Sequence, residues 1–600
     1  MHWLDWAIIG LYVVVVTAIG IAFIKRASGS VAEYFVAGRN LPWWLAGTSL
    51  VATSFAADTP LFVAGLVATK GIAGNWLWWN QAVAWALAVV FFARLWRRAG
   101  LTTDAEFIEL RYSGRAASFL RGFKAVYTSL IFSTCTLAWV MLAMQKIVTA
   151  TLGRPAWAES LQASVEASLG AAPGSIDVWK WIVLLSLFGI ATLYTVLSGF
   201  WGIVVTDLLQ FVIAMIGAVV FAMMAVQSVG GMEDIKLRLL EQFGSDRAVA
   251  ALNFLPESNS QWMPITTFAV FLGILWWGDC GGFAAQRMFS TRSEKDSTLT
   301  AIWYSIAHFA LRPWPWIVVG LVAFLRYPGL EDPESGYPKL LMEILPAGIR
   351  GILIASLLAA FMSTVDTHLN WNASYFVTDI YRRFLVPSAT ERQCVRVARV
   401  SVLVYAALAI VVAYYMTSIE KAVLTLFNLQ AGIGMVLMLR WLWWRVNAWS
   451  EISAMMASLI VTTALPYLDR RYGLELSGAQ RILITVSICT PTWLLATFLT
   501  SPTHPAKLEA FYRRIRPVAY LWGPVARACP DVPRDRGVAG VVALWLGSAL
   551  ALYAVMFFVG KLVLLEYRDA LLAGGVAILA SVLVWCCARK RSPAGGSAPA

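Results

Sequence analysis

Residues 357–366 read LLAAFMSTVD, and the reading of this stretch decides the fold. It lies in an apolar run, yet Ser363, Thr364 and Asp366 fall within four residues, and His368, Asn370 and Asn372 follow at once. In hydrocarbon an unsatisfied polar group is costly, so such a cluster must face protein, water or a bound ion. Adjacent hydroxyls beside a carbonyl left free one turn earlier suit a small hard cation, with sodium the obvious candidate. The plainer alternative is that Ser and Thr bond back to the preceding turn and merely bend a membrane helix.

The surrounding chain is apolar throughout. Of 600 residues 59% are hydrophobic and 14% charged, against about 25% charged in soluble proteins, and the mean hydropathy is +0.69. A helix needs ~20 apolar residues to cross a bilayer. Fifteen stretches qualify, near 6–24, 43–68, 75–96, 124–151, 179–198, 201–227, 264–285, 300–325, 349–376, 398–416, 421–440, 450–467, 482–500, 538–560 and 570–588. Tryptophans crowd the span ends (Trp43, Trp44, Trp76, Trp78, Trp79, Trp441, Trp443, Trp444), as interfacial aromatics do. The fold class expected is an all-α polytopic membrane protein built around one large bundle in the lipid bilayer.

Basic residues orient it. Lys25, Arg26 and Arg39 follow span 1, seven basic residues from Arg94 to Lys124 follow span 3, and Arg287, Arg292 and Lys295 follow span 7. Arg382, Arg383, Arg392, Arg396 and Arg399 surround the loop after span 9, and Arg440 and Arg445 follow span 11. Lys507 to Arg536 and then Arg589, Lys590 and Arg591 complete the series. All lie after odd-numbered spans, so the positive-inside rule places the N-terminus outside and the C-terminus in the cytoplasm of the cell (inner) membrane. The net charge of +13 therefore reads as topology, and no nucleic-acid partner is expected.

Nothing in the chain suggests an enzyme. Its four histidines form no HExxH, no phosphate-binding glycine loop is present, and the seven cysteines show no CxxC pair. The basic residues lie after span 1, the wrong side for a cleaved signal. Residues 501–537, rich in Pro and Arg, read as a cytoplasmic linker without a domain-sized fold, and Ser592–Ala600 as a disordered tail.

Two spans are interrupted at their middles. Span 2 carries Asp58, Thr59 and Pro60, and span 7 carries Asp279 with three glycines around it. Proline removes a donor and glycine loosens the helix, freeing backbone groups at membrane depth. A pair of broken segments five spans apart points to an inverted repeat with a midplane binding site. The alternative is two ordinary kinks.

Three segments carry a family resemblance: EYFVAGRNLPWW (Glu33–Trp44), LSGFWGIVVTDLLQ (Leu197–Gln210) and AAFMSTVD (Ala359–Asp366). In this order and spacing they resemble the solute:sodium symporters, a family that includes bacterial proline, galactose and sialic acid transporters. The resemblance implies a LeuT-like fold of five plus five inverted helices, with one N-terminal and about four C-terminal additional helices. The organisation implied is 1–42 accessory helix and loop, 43–227 and 264–444 repeat halves, 445–500 accessory helices, 501–537 linker, and 538–600 final helices and tail.

It also implies a sodium site of main-chain carbonyls at Ala56 and Thr59, the carbonyl of Ala360, and the hydroxyls of Ser363 and Thr364. Asp58 matches an acid of the proline transporters and would tune sodium affinity, or else cap the broken half-helix. Asp207 matches an acid on the sodium path that in some members helps hold a second ion; a salt bridge to a cytoplasmic Arg is its structural alternative. Ala360 offers that second site no hydroxyl, which favours one sodium per solute, although Asp366 would supply a charge. By position in such a fold, Val63, Trp276, Trp277, Asp279 and Gln430 are substrate candidates, with His308 and Arg312 of span 8. Val63 and Gly273 stand where galactose transporters carry Gln and Asn, which argues against a hexose. Arg312 would bind a carboxylate or pair with Asp279 or Asp366. The function expected is sodium-coupled symport of a small polar organic solute (amino acid, sugar or organic anion) by a monomer or weak oligomer. Proton coupling through Asp58, Asp207 or His368 is the alternative, and a transporter-like sensor a more distant one.

Overall fold

The computed structural model describes residues 1–27, 30–256, 264–518, 520–533 and 537–589, with the side chains of 23–27, 193, 194, 196–199 and 589 left aside. The charges of Lys25, Arg26, Arg534, Arg536, Arg589, Lys590 and Arg591, the side chains of Leu197 to Gly199, and the tail Ser592–Ala600 thus lie outside the described part. Among the described residues the chain is helical, its only extended pairing being a bridge between Leu41 and Thr291.

Helix α1 (Trp3–Ala27) precedes a bent pair, α2 (Trp43–Thr53) and α3 (Asp58–Lys70), which meet at 59°. Next come α4 (Ile72–Ala99) and α5 (Arg115–Leu152), then α6 (Val178–Gln227). Span 7 is the second break, α7 (Ile265–Ile274) and α8 (Phe283–Ser290). Helices α9 (Glu294–Arg326), α10 (Ile349–Leu385), α11 (Glu391–Tyr415), α12 (Ile419–Leu442), α13 (Ala448–Tyr472), α14 (Gly478–Leu499) and α15 (Val538–Val563) follow, and α16 (Tyr567–Arg589) closes the bundle. Among the described residues twelve helices are long and apolar enough to cross a membrane, or 13 with the bent pair counted once; Val178–Thr192 and Ile265–Ile274 are shorter apolar segments in the remaining two places.

Both interruptions are real breaks. After α2 the chain leaves the helix at Ser54 and resumes at Asp58, with Pro60 in the first turn of α3, where its missing N–H costs nothing. Between α7 and α8 the residues Leu275–Gly282 are non-helical, and Gly282 takes φ +69° with the Trp371 ring where a Cβ would stand, 2.8 Å away. Helices α2 and α3 are central, packing against α6, α8, α9, α10 and α12. Helix α10 is buried along nearly its whole length, at 94% of its most apolar window, which explains how it tolerates so many polar residues.

Three expectations are corrected. Spans 5 and 6 are not separate helices: Val178–Gln227 is continuous over 50 residues, about 75 Å long at 1.5 Å per residue. The glycines near the expected turn, Gly199 and Gly202, have no proline beside them, and the helix carries through. Second, basic residues expected in the loop after span 3 belong to α5, where Arg121 pairs with Glu109 and Asp379, and Lys124 with Asp104. Third, the 501–537 segment folds onto the bundle. Its helix Pro505–Ile515 buries Leu508, Phe511, Tyr512 and Ile515, Trp522 donates to the Trp441 carbonyl at 2.9 Å, and the Arg111 guanidinium lies 4.7 Å from the Trp522 ring.

Candidate functional site

The oxygen cluster foreseen in α10 lies against the end of α2. Ser363 Oγ donates to the Ala52 carbonyl and to the Ala360 carbonyl, both at 3.1 Å. Thr364 Oγ1 donates to the Thr53 carbonyl at 2.8 Å and approaches the Ala360 carbonyl at 3.4 Å. Five neutral oxygens from two helices therefore meet in a buried spot. The carbonyls these hydroxyls reach at the end of the first broken helix are those of Ala52 and Thr53, whereas the expectation named Ala56 and Thr59. The Ala56 carbonyl accepts the Thr59 amide at 3.1 Å as the new helix starts, as that of Ala52 accepts the Phe55 amide at 3.0 Å. Ala56 and Thr59 remain on the wall of the adjoining cavity.

Beside this cluster lies a buried charge group that sequence reading only half anticipated. Asp207 of α6 accepts from Ser49 Oγ at 2.6 Å and faces the Arg287 guanidinium at 3.5 Å. Arg287 also donates to Thr53 Oγ1 (2.9 Å) and Thr367 Oγ1 (2.7 Å), and stands 4.9 Å from the Phe200 ring. Arg287 had been counted only as a topological charge; as an arginine eight residues past the Asp279 break, it is instead inside the bundle. Asp366 is fully buried on α10, and neither of its carboxylate oxygens has a hydrogen-bond partner.

A cavity of about 490 Å³ adjoins both breaks. Trp276, Trp277, Asp279, His308 and Gln430 lie on its wall, while Val63 and Arg312 do not. Val63 is fully buried on another face of α3. Asp279 is held by the Arg440 guanidinium (2.7 Å) and the Trp441 indole N–H (2.7 Å), and Arg440 also pairs with Glu451 (3.2 Å). Arg312 pairs with neither Asp279 nor Asp366. It donates to the Val51 carbonyl at 3.3 Å, contacts His308 Nε2 at 3.3 Å, and stands near the rings of Phe55 and Trp316. Gln430 and Gln81 donate their amide nitrogens to the carbonyls of Trp277 (3.2 Å) and Leu275 (2.6 Å), fastening the second break. His368 Nδ1 lies 2.9 Å from Ser133 Oγ.

Two broken helices meeting at an internal cavity, inside a helical bundle of membrane-spanning length, define a secondary transporter. The sodium:solute symporter family model matches residues 34–161 and 178–460. The sodium/glucose cotransporter of Vibrio parahaemolyticus is 24% identical over 507 residues, covering 78% of this chain and 88% of that one. Sodium/glucose cotransporter 4 of Danio rerio is 27% identical over 527 residues, covering 79% and 73%. A solved structure of a Na+-coupled sialic acid symporter, substrate-bound and outward-open, superposes with TM-score 0.64 at 21% identity, covering 84% of this chain and 99% of the other. The chain belongs to the sodium:solute symporter family and has its LeuT-like fold. It is a multi-pass membrane protein that moves a small-molecule solute with sodium as the coupling ion.

Proposed function

We propose that the coupling sodium is held by the carbonyls of Ala52, Thr53 and Ala360 with the hydroxyls of Ser363 and Thr364. One observation carries this reading: the two hydroxyls of α10 reach across to the Ala52 and Thr53 carbonyls at the end of α2, 2.8–3.1 Å away. Neutral oxygens hold a monovalent cation without trapping it. Sodium entering the cluster draws α10 and α2 together, and the cavity between the breaks receives the solute. Each sodium moved inward through 100 mV supplies about 2.3 kcal/mol beyond its concentration gradient. With Asp207 already engaged by Ser49 and Arg287, the ratio proposed is one sodium per solute.

The wider reading is a carrier with no catalytic step and no nucleic-acid partner, acting as a monomer or weak oligomer. Residues 43–227 and 264–444 form the two repeat halves, and the N-terminus lies outside a cell membrane with the C-terminus in the cytoplasm. The test is thermal stabilisation of purified protein by sodium against a potassium control. The wild type is expected to melt higher in sodium, with that shift lost in Ser363→Ala/Thr364→Ala. An undiminished sodium shift in the double variant refutes the site.

A further inference from the structure

We infer that the solute is a small organic cation, an alkyl- or quaternary ammonium compound, held by the carboxylate of Asp58 within aromatic walls. This rests on the reading of the cavity as the solute site. The inference comes from an inventory of charge. Six acidic, basic and imidazole side chains line the cavity: Asp58, Asp104, Lys124, Asp279, His308 and His368. Five have partners. Asp104 and Lys124 pair with each other at 3.1 Å, and Asp279 is clamped by Arg440 at 2.7 Å. His308 contacts Arg312 and His368 contacts Ser133. Asp58 stands apart: among the described residues no cationic group lies within ion-pair distance, the Arg312 guanidinium acts on it only from farther off, and its Oδ1 is buried without a hydrogen-bond partner. A half-buried carboxylate with no cation beside it is a ready partner for one brought by the solute.

The walls suit the same ligand. Tyr304 donates to Ser54 Oγ at 3.2 Å, which fixes its ring at the break four residues before Asp58. Trp85 packs on Tyr304 with ring centroids 3.9 Å apart, and Trp78 meets His308 edge-on at 5.6 Å. Trp277 lines the opposite break. Aromatic faces attract ammonium groups that have shed their water, and the attraction is greatest for tryptophan. The alternatives fit less well. An organic anion needs a free cation, but Lys124 is paired and Arg312 is off the wall. A polyol needs many donors and acceptors, but the amide nitrogens of Gln81 and Gln430 are committed to the main chain.

The experiment is thermal-shift titration of the full-length protein in sodium with tetramethylammonium, choline and ethanolamine, and with glucose and lactate as the neutral and anionic comparisons. Asp58→Asn, Asp58→Glu, Trp85→Ala and Gln430→Ala are titrated in parallel, each first checked for a ligand-free melting temperature near that of the wild type. At least one ammonium compound is expected to stabilise the wild type. Its apparent affinity should fall at least tenfold in Asp58→Asn, weaken in Trp85→Ala, and recover in part in Asp58→Glu. Equal ammonium affinity in wild type and Asp58→Asn overturns the inference, as does the absence of any ammonium shift. A glucose or lactate shift that is lost in Gln430→Ala but kept in Asp58→Asn refutes the cation while retaining the cavity as the solute site. Ammonium binding that needs Asp58 yet ignores both Trp85 and Gln430 refutes the cavity reading itself.

Discussion

Arg440 shows how much a single buried cation can hold. Its guanidinium is fully buried and joins Asp279 of the second break to Glu451 of α13. Removing one partner of a buried ion pair costs about 3–5 kcal/mol, because the other charge is left stranded. Arg440→Met is therefore expected to lower the melting temperature sharply. The triple change Arg440→Met, Asp279→Asn, Glu451→Gln should recover part of the loss, since coupled sites do not add; a triple variant as unstable as the single one contradicts this account. A second charge lies outside the spans. Burial of Glu109 favours its protonated form, but hydrogen bonds from Arg383, Arg121 and Ser118 outweigh it and hold the carboxyl down at about 2, from an ordinary 4.5. The folded-state value is depressed, so the stabilisation is present above pH 4.5 and is lost as pH falls toward 2. Melting curves of Glu109→Gln should be flatter with pH than those of the wild type across that window, and parallel curves exclude the effect. At this scale Ser363 and Thr364, which the proposed sodium site shares with the expectation together with Ala360, were legible because polar groups in an apolar run stand out. That these hydroxyls reach the Ala52 and Thr53 carbonyls was not. Which carbonyls they meet depends on where a helix ends, whereas Asp58, Thr59 and Pro60 mark where the next one begins. Arg287 and Arg440 were misread for a related reason: an arginine near a span end counts toward topology whether it points to water or into the bundle.

The two broken helices were legible as elements because proline and a glycine cluster leave a mark in composition. Their seating against the neighbouring helices was not, since close approach depends on which residue faces which. Gly434 of α12 illustrates it. A Cβ there would stand 2.3 Å from the main-chain oxygen of Trp277, in the middle of the second break. Backbone cannot swing away as a side chain can, so Gly434→Ala should cost about 2 kcal/mol or more and weaken solute binding by displacing Trp277. Gly273, on α7, has nothing within 4 Å of its would-be Cβ, and Gly273→Ala should leave stability unchanged or raise it by up to ~1 kcal/mol. Melting temperatures of the two variants in detergent test the pair, and equal behaviour removes the steric argument. The continuous α6 and the docked helix Pro505–Ile515 escaped sequence reading for opposite reasons. In α6 two apolar runs were read as separate spans, although no proline between them stops the helix. Around 505–515, proline and arginine suggested an open linker, although Leu508, Phe511, Tyr512 and Ile515 share a buried face.

Taken as a whole, the molecule is clamped at both ends of its cavity. At the basic end, Asp104–Lys124 joins the segment after α4 to α5, and Asp279–Arg440–Glu451 joins the second break, α12 and α13. At the other end Lys70 of α3 pairs with Glu420 of α12, and Lys146 of α5 reaches Glu334 at 2.6 Å and Asp332 at 2.9 Å. The Glu420 amide donates to Glu334 at 3.2 Å, so both pairs meet at one carboxylate. Helices α3, α5 and α12 also line the cavity, and an alternating carrier must release one clamp while keeping the other. Pairs this close to water contribute modestly, about 0.2–1 kcal/mol each when exposed, yet a change of 1.4 kcal/mol between two states shifts their ratio tenfold. Removing both lysines by Lys70→Ala/Lys146→Ala should therefore favour the state open at that end. A cysteine at Thr136, on the cavity wall, reports it in a background with both Cys135 and the cavity-lining Cys280 replaced by Ser. On the orientation proposed above, with the N-terminus outside, a membrane-impermeant thiol reagent added outside should label that cysteine several-fold faster in the lysine double variant than in its parent. Slower or unchanged labelling would mean that these ion pairs do not bear on opening, and that the gate lies with the aromatic residues between the two breaks.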